Sequence, residues 1–185
     1  MYNKKWGIRD VCFLKDIRKA TTLHQLLNLI RGLYKAIDED WRKCASKSGL
    51  TVSQQHLLWI LRFKDGSTLS EISQYGLWHL STVMDLVERM EKLGLVYKEV
   101  DSKDARTKRV TITDKGNEFL NNSCNNSESF KFMNAMEWDN LERMKQYLDT
   151  LYMLNKSLNG DKFVHYVEQS AKKLEDELEK VNTDK

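Results

Sequence analysis

The 185 residues include no proline, and that absence constrains the fold more than any other feature of the chain. Proline is the strongest helix breaker, so helix boundaries here must be set by glycine, by capping side chains and by changes of hydrophobic period. Long helices are the expectation. Leu23, Leu26, Leu27, Ile30, Tyr34, Ile37 and Trp41 recur at helical spacing, with Gly49 just beyond their C-terminal end. Thr51 and Gln54 have capping-box spacing ahead of Leu57, Leu58, Ile60 and Leu61, which predicts a second helix ending near Asp65-Gly66. Thr68 and Glu71 make a better capping box and open a short third helix that carries Leu69 and Ile72 and stops around Tyr75-Gly76.

From about His79 the helical period returns. Leu80, Val83, Met84, Val87 and Met90 are assigned to its buried side, Ser81, Thr82, Asp85, Glu88, Arg89 and Lys92 to the opposite one, and Gly94 is its stop signal. Two β-prone runs follow, residues 95–100 and 108–112, separated by a polar stretch that favours a turn. Thr113 then caps a helix through Leu120, and the Asn- and Ser-rich run 121–129 reads as a loop. Trp138, Leu141, Leu148, Leu151, Tyr152 and Asn155 predict a further helix halted near Asn159-Gly160. In the last helix Val167, Ala171, Leu174, Leu178 and Val181 follow a 3.5-residue repeat, which suits either packing on its own core or a subunit interface. Three regions result: an N-terminal extension and first helix (1–50), a central unit (51–120), and a polar loop with C-terminal helices (121–185).

Several function classes lose support. Apolar residues at 41% and charged residues at 31% suit a folded chain with a real core. No stretch approaches the roughly 18 uninterrupted apolar residues of a membrane span, and the first sixteen residues interrupt their apolar pairs with charge. Cys12, Cys44 and Cys124 are widely spaced and make neither an even disulfide set nor a metal-type pair, so a reducing, cytoplasmic location is expected. His24, His56, His79 and His165 have no metal-ligand spacing, and neither a phosphate-binding glycine loop nor a nucleophile motif appears. The expectation is a protein that is not an enzyme and uses no metal or cofactor.

The net charge of +3 does not imply nucleic acid by itself, but the distribution is uneven. Between Arg89 and Lys115 eight cations face five acids, and the cations crowd the predicted hairpin. Helix, short helix, turn, amphipathic helix and basic hairpin is the element order of a winged helix-turn-helix. The major groove is about 12 Å wide and admits one helix, whose exposed N-terminal face must offer hydrogen-bonding side chains. His79, Ser81, Thr82 and Asp85 are the candidates there, and Lys103, Asp104, Arg106, Lys108 and Arg109 are the wing candidates for phosphate or the minor groove. The fold class expected is mainly α with a small β-hairpin wing: a winged helix-turn-helix core between N- and C-terminal helical dimerisation regions. Trp78 is expected to be a packing anchor, since duplex bases are not free to stack.

Leu69-Ser-Glu-Ile-Ser73, the run from Ser81 to Val96, Asp101-Ser-Lys-Asp-Ala-Arg106 and Ile112-Thr-Asp-Lys-Gly116 together resemble the MarR family of bacterial transcription regulators. Glu39-Asp-Trp41, Gln55-His-Leu-Leu-Trp-Ile60, Gly76-Leu-Trp-His-Leu-Ser-Thr82 and Gly160-Asp-Lys-Phe163 are similar to its Hpr (ScoC) type branch. The resemblance implies a homodimer, joined through the N- and C-terminal helices and bound to an inverted repeat in double-stranded DNA. It implies that Arg106 enters the minor groove, oriented by Asp104 or Asp101. For the Hpr branch it implies repression of protease-production and sporulation genes.

One departure is Asp85, where many members of the family carry Arg. Its carboxylate suits either a hydrogen bond from cytosine N4 or exposure to solvent. Two other readings stay open: a ligand or redox sensor with a dimer-interface pocket near Tyr34, Trp41 or Trp59, or with Cys12 as the responsive thiol; and a helical protein-interaction module that no longer binds DNA.

Overall fold

The computed structural model describes residues 17–101, 104–124, 130–136 and 138–183. Helix α1 (Ile17–Lys47) runs 31 residues without a break, as a chain without proline permits. It ends at Gly49, whose φ of +69° lets Leu50 N–H bond back to Ala45 O at 3.0 Å. Helix α2 (Val52–Phe63) opens on the expected reciprocal cap, with Thr51 N–H donating to Gln54 Oε1 at 2.8 Å and Gln54 N–H to Thr51 Oγ1 at 3.3 Å. Helix α3 (Leu69–Gly76) repeats the device, Thr68 N–H donating to Glu71 Oε2 at 2.7 Å and Glu71 N–H to Thr68 Oγ1 at 3.2 Å. Helix α4 (Leu80–Lys92) follows a three-residue turn.

The sheet has one strand more than the hairpin expected from sequence. Strands β2 (Val96–Val100) and β3 (Lys108–Ile112) pair antiparallel, and β3 also pairs with the two-residue β1 (Ser67–Thr68), giving the order β1-β3-β2. Ser67 and Thr68 lie opposite Val110 and Arg109, so the wing is tied to the turn between α2 and α3.

Helix α5 (Asp114–Cys124) starts where Thr113 Oγ1 accepts the Gly116 N–H at 3.0 Å. It then continues into residues 121–124, expected to be loop. The reason is a long-range contact: Ser123 is fully buried, accepts from Gln55 Nε2 at 2.6 Å, and offers its carbonyl to the Cys44 thiol at 2.7 Å. Residues 125–129 and Cys12 lie outside the described residues. Helices α6 (Lys131–Ala135), α7 (Leu141–Asn159) and α8 (Asp161–Thr183) complete the chain. The short α6 was not anticipated; buried Asp40 on α1 accepts the Phe132 N–H at 2.9 Å and holds it in place.

The core lies in the winged unit, where Leu57, Leu58, Ile60, Leu61, Ile72, Val83, Val87, Met90, Leu95, Val96, Val110 and Leu120 are buried. Burial of such side chains contributes about 1.5–3 kcal/mol each and is the main stabilising term here. Helix α8 packs on α2 and α3 of this same unit. Tyr166 stacks on Tyr75 at 4.5 Å between ring centroids, Arg62 pairs with Glu177 at 3.0 Å, and Lys173 Nζ donates to Arg62 O at 3.0 Å. Burial, and then the neighbouring Tyr75, push the Tyr166 hydroxyl pKa up to about 12. Of the heptad positions, Val167 packs against the core while Leu174 and Leu178 stay exposed. Among the described residues no helix is long and apolar enough to cross a membrane, and no His, Cys, Asp and Glu group could hold a metal ion.

Candidate nucleic-acid interface

Helix α4 is fastened by one face and bare on the other. Val83, Leu86, Val87 and Met90 are buried, a stripe at the 3.6-residue period. Leu80 and Met84, assigned to that stripe from sequence, are exposed, and Leu86 takes the buried place instead. The spacing alone allowed either flank, because a stripe about 100° wide can be drawn on either side of Val83 and Val87.

The turn before α4 is unusual in its backbone. Leu77 adopts φ +53°, ψ +41°, the left-handed region, which costs a residue with a Cβ roughly 1–2 kcal/mol. Ser73 holds it there: its carbonyl accepts the Trp78 N–H at 3.0 Å and its hydroxyl donates to Trp78 O at 2.6 Å. Trp78 packs against the core and sets its ring edge on His56, 5.0 Å away, so it is an anchor as expected. The close approach demands glycine at position 76, because a Cβ there would lie 2.4 Å from the Trp78 ring. These contacts aim the first turn of α4 outward. His79 is its N-cap in backbone terms but makes no side-chain cap bond, and it is exposed together with Ser81, Thr82 and Asp85.

The wing packs against α4 through β2. At its tip Asp104 organises the chain: Oδ1 accepts the Arg106 N–H at 3.0 Å and Oδ2 the Thr107 hydroxyl at 2.9 Å. Asp104 thus shapes the turn that carries Arg106, holding its backbone. The Arg106 and Lys108 side chains are exposed. Lys103 lies outside the described residues.

Arg109 does something the sequence did not reveal. Its guanidinium pairs with the nearly buried Asp101 carboxylate and donates to Gly66 O at 2.8 Å. The hydrogen bond and charge of Asp101 raise the Arg109 pKa above its ordinary value. Arg109 therefore clamps the wing base to the α2–α3 turn. On the other edge, Lys98 pairs with Glu91 at 2.8 Å and holds the Glu91 carboxylate below the usual range, which ties β2 to the end of α4.

A cleft of about 850 Å³ opens on the opposite side of the α3–α4 turn, lined by Tyr34, Asp38, Trp41 and Arg42 of α1, the start of α2, and Leu77 and Trp78. His56 lies between Trp41, at 4.9 Å, and Trp78. Burial lowers its pKa to about 4. Trp59 is elsewhere, stacked on Phe63.

Residues 48–107 match the family model described as MarR family. The chain is 24% identical over 160 residues to the HTH-type transcriptional regulator Hpr of Exiguobacterium sibiricum, covering 85% of each protein. It is 24% identical over 171 residues to the DNA-binding transcriptional repressor ScoC of Bacillus subtilis, covering 90% of this chain and 84% of that one. Among solved structures, a mutant MarR from E. coli complexed with operator DNA superposes with a TM-score of 0.63 at 16% identity, over 70% of this chain and 95% of that one. That likeness concerns the fold.

Proposed function

We propose that this chain is a DNA-binding transcription regulator of the MarR family and that it works as a homodimeric repressor occupying inverted-repeat promoter sites. The observation that carries the proposal is the exposure of His79, Ser81, Thr82 and Asp85 at the start of α4, together with a wing whose tip exposes Arg106. In this reading His79, Ser81, Thr82 and Asp85 meet base edges or the adjoining phosphates. Arg106 and Lys108, with Lys103, neutralise phosphates or enter the minor groove. Arg109 contributes by holding the wing at the angle at which its tip can reach DNA.

The homodimer is supported by apolar side chains exposed among the described residues. On α1, Leu26, Leu27, Leu29, Ile30 and Tyr34 are exposed, and on α7 Leu141, Met153, Leu154 and Leu158 are exposed. Exposed apolar side chains in such number mark an interaction surface, which a two-fold partner would cover with a copy of itself. The repressing sense rests on likeness to the ScoC repressor, and the protease-production and sporulation targets rest on the Hpr resemblance.

A second reading has its own observation. The cleft containing Tyr34, Trp41 and His56 shares a wall with Trp78, the anchor of the α3–α4 turn. A small-molecule effector bound there would act directly on the aim of α4. A thermal-shift screen identifies such a compound, because a ligand of the folded state raises the melting temperature.

The test of DNA binding is selection of genomic fragments by the purified protein, followed by titration of a recovered duplex at fixed salt. The expected result is a site with half-sites about 10 base pairs apart and an affinity falling with salt by a log-log slope of about 0.9 per phosphate neutralised. Arg106→Ala should weaken binding and leave the melting temperature in place. Unchanged affinity would remove Arg106 from the interface.

A further inference from the structure

The exposed arc of α4 is chemically one-sided. Its first two turns present His79, Leu80, Ser81, Thr82, Met84 and Asp85, and none of these is Arg, Lys, Asn or Gln. The side chains that pair bidentately with guanine O6/N7 or adenine N6/N7 are therefore missing from the part of the helix that enters the groove. The next cations along the helix are Arg89 and Lys92, and Lys92 is paired with Glu88 at 2.8 Å. Asp85 adds a carboxylate to the same arc, which repels the acceptor-only edge of guanine.

What the arc offers in their place is apolar. Leu80 is 46% exposed and Met84 53% exposed, four residues apart and so adjacent on the helix surface. Met84 also neighbours Ser81, three residues before it. Neither Leu80 nor Met84 contributes to the core, where Val83, Leu86, Val87 and Met90 do that work. In the major groove one base presents an apolar group, the C5-methyl of thymine.

Resting on the DNA-binding reading above, we infer that Leu80 and Met84 are specificity-determining residues that read thymine methyl groups, so each half-site is recognised through A·T pairs and not through guanine. The hydroxyls of Ser81 and Thr82 fix the register, and the apolar pair supplies the preference. The cationic wing supplies the attraction to phosphate that this acidic, apolar helix lacks.

The experiment uses the full chain and a duplex recovered by selection from a random library. Each half-site thymine is replaced in turn by uracil, which removes the methyl group and leaves every hydrogen-bonding atom. Burying one methyl corresponds to about a fourfold change in affinity, so uracil at a contacted position should weaken binding by about that factor in each half-site. Leu80→Ala and Met84→Ala remove exposed side chains and should melt as the parent does. Between them they should abolish the discrimination, each variant binding thymine and uracil duplexes alike at the position it reads. Equal affinity of the parent protein for thymine and uracil at every position of a tightly bound site would overturn the inference alone, as would discrimination that survives at the same position in both variants. Recovery of no duplex would overturn the DNA-binding reading and this inference with it.

Discussion

Acidification should expose the cost of keeping His56 neutral between two tryptophans. The imidazole lies 4.9 Å from the Trp41 ring and 5.0 Å from that of Trp78, and burial lowers its pKa from 6.5 to about 4. The folded pKa is the lower of the two, so the unfolded chain takes up this proton first as the pH falls. Stability from this group is therefore level above pH 6.5, declines through the interval down to about 4, and is level again below it. The whole loss is roughly 3 kcal/mol, of which about 2 kcal/mol has gone by pH 5. For a chain of this size that corresponds to a melting temperature lower by about 4–8 °C at pH 5 than at pH 7.5. Asp38 and Arg42, hydrogen-bonded to each other at 2.5 Å, line the same cleft. Thermal melts by circular dichroism, taken at half-unit steps from pH 7.5 to 4.5 for the parent and for His56→Gln, isolate the contribution. The parent should slope and the variant should be flatter by about the same amount. Parallel curves for the two proteins would refute the reasoning.

Gly76→Ala places a Cβ 2.4 Å from the Trp78 ring, and displacing a packed anchor should cost about 1–3 kcal/mol, read as a lower melting temperature together with weakened DNA binding. Thr68→Ala removes the Oγ1 that accepts the Glu71 N–H and should cost about 1 kcal/mol in a denaturant titration. Leu29→Glu puts a charge on the bare face of α1, where Leu29 is 67% exposed, and should convert a dimer to a monomer in sedimentation velocity without loss of helicity. A dimer that persists would place the interface elsewhere.

Local signals were legible in the sequence wherever a residue acts on its immediate neighbours. Thr51 with Gln54 and Thr68 with Glu71 form the caps their spacing predicts, and Gly94 ends α4 with φ +70°. What escaped depends on partners far along the chain. Ser123 belongs to a helix because Gln55 and Cys44 meet it across 68 and 79 residues, and no reading of a polar run contains that contact. Strand β1 has two residues, too few to show an alternation, and exists because β3 lies beside it. Arg109 looked like a free wing cation for the same reason: Asp101 is eight residues away, just past the end of β2, and Gly66 O is 43 residues back. The exposure of Leu80 and Met84 is a different case. Apolar residues in an amphipathic helix default to the core, and only the packing of Leu86 shows that the stripe was drawn one flank too far.

The Tyr75–Tyr166 stack and the Arg62–Glu177 pair rivet α8 to the reading head, while α7, packed on α8, leaves its own outer side open. Under the proposed function, a displacement of the C-terminal arm would be passed to α3, which it contacts, and from α3 to α4. In the proposed dimer the distance spanned between half-sites would then be a property of the arm, as a gauge is set by its frame. Exchanging arms between relatives should transplant the preferred gap along DNA while leaving untouched the bases preferred on either side of it.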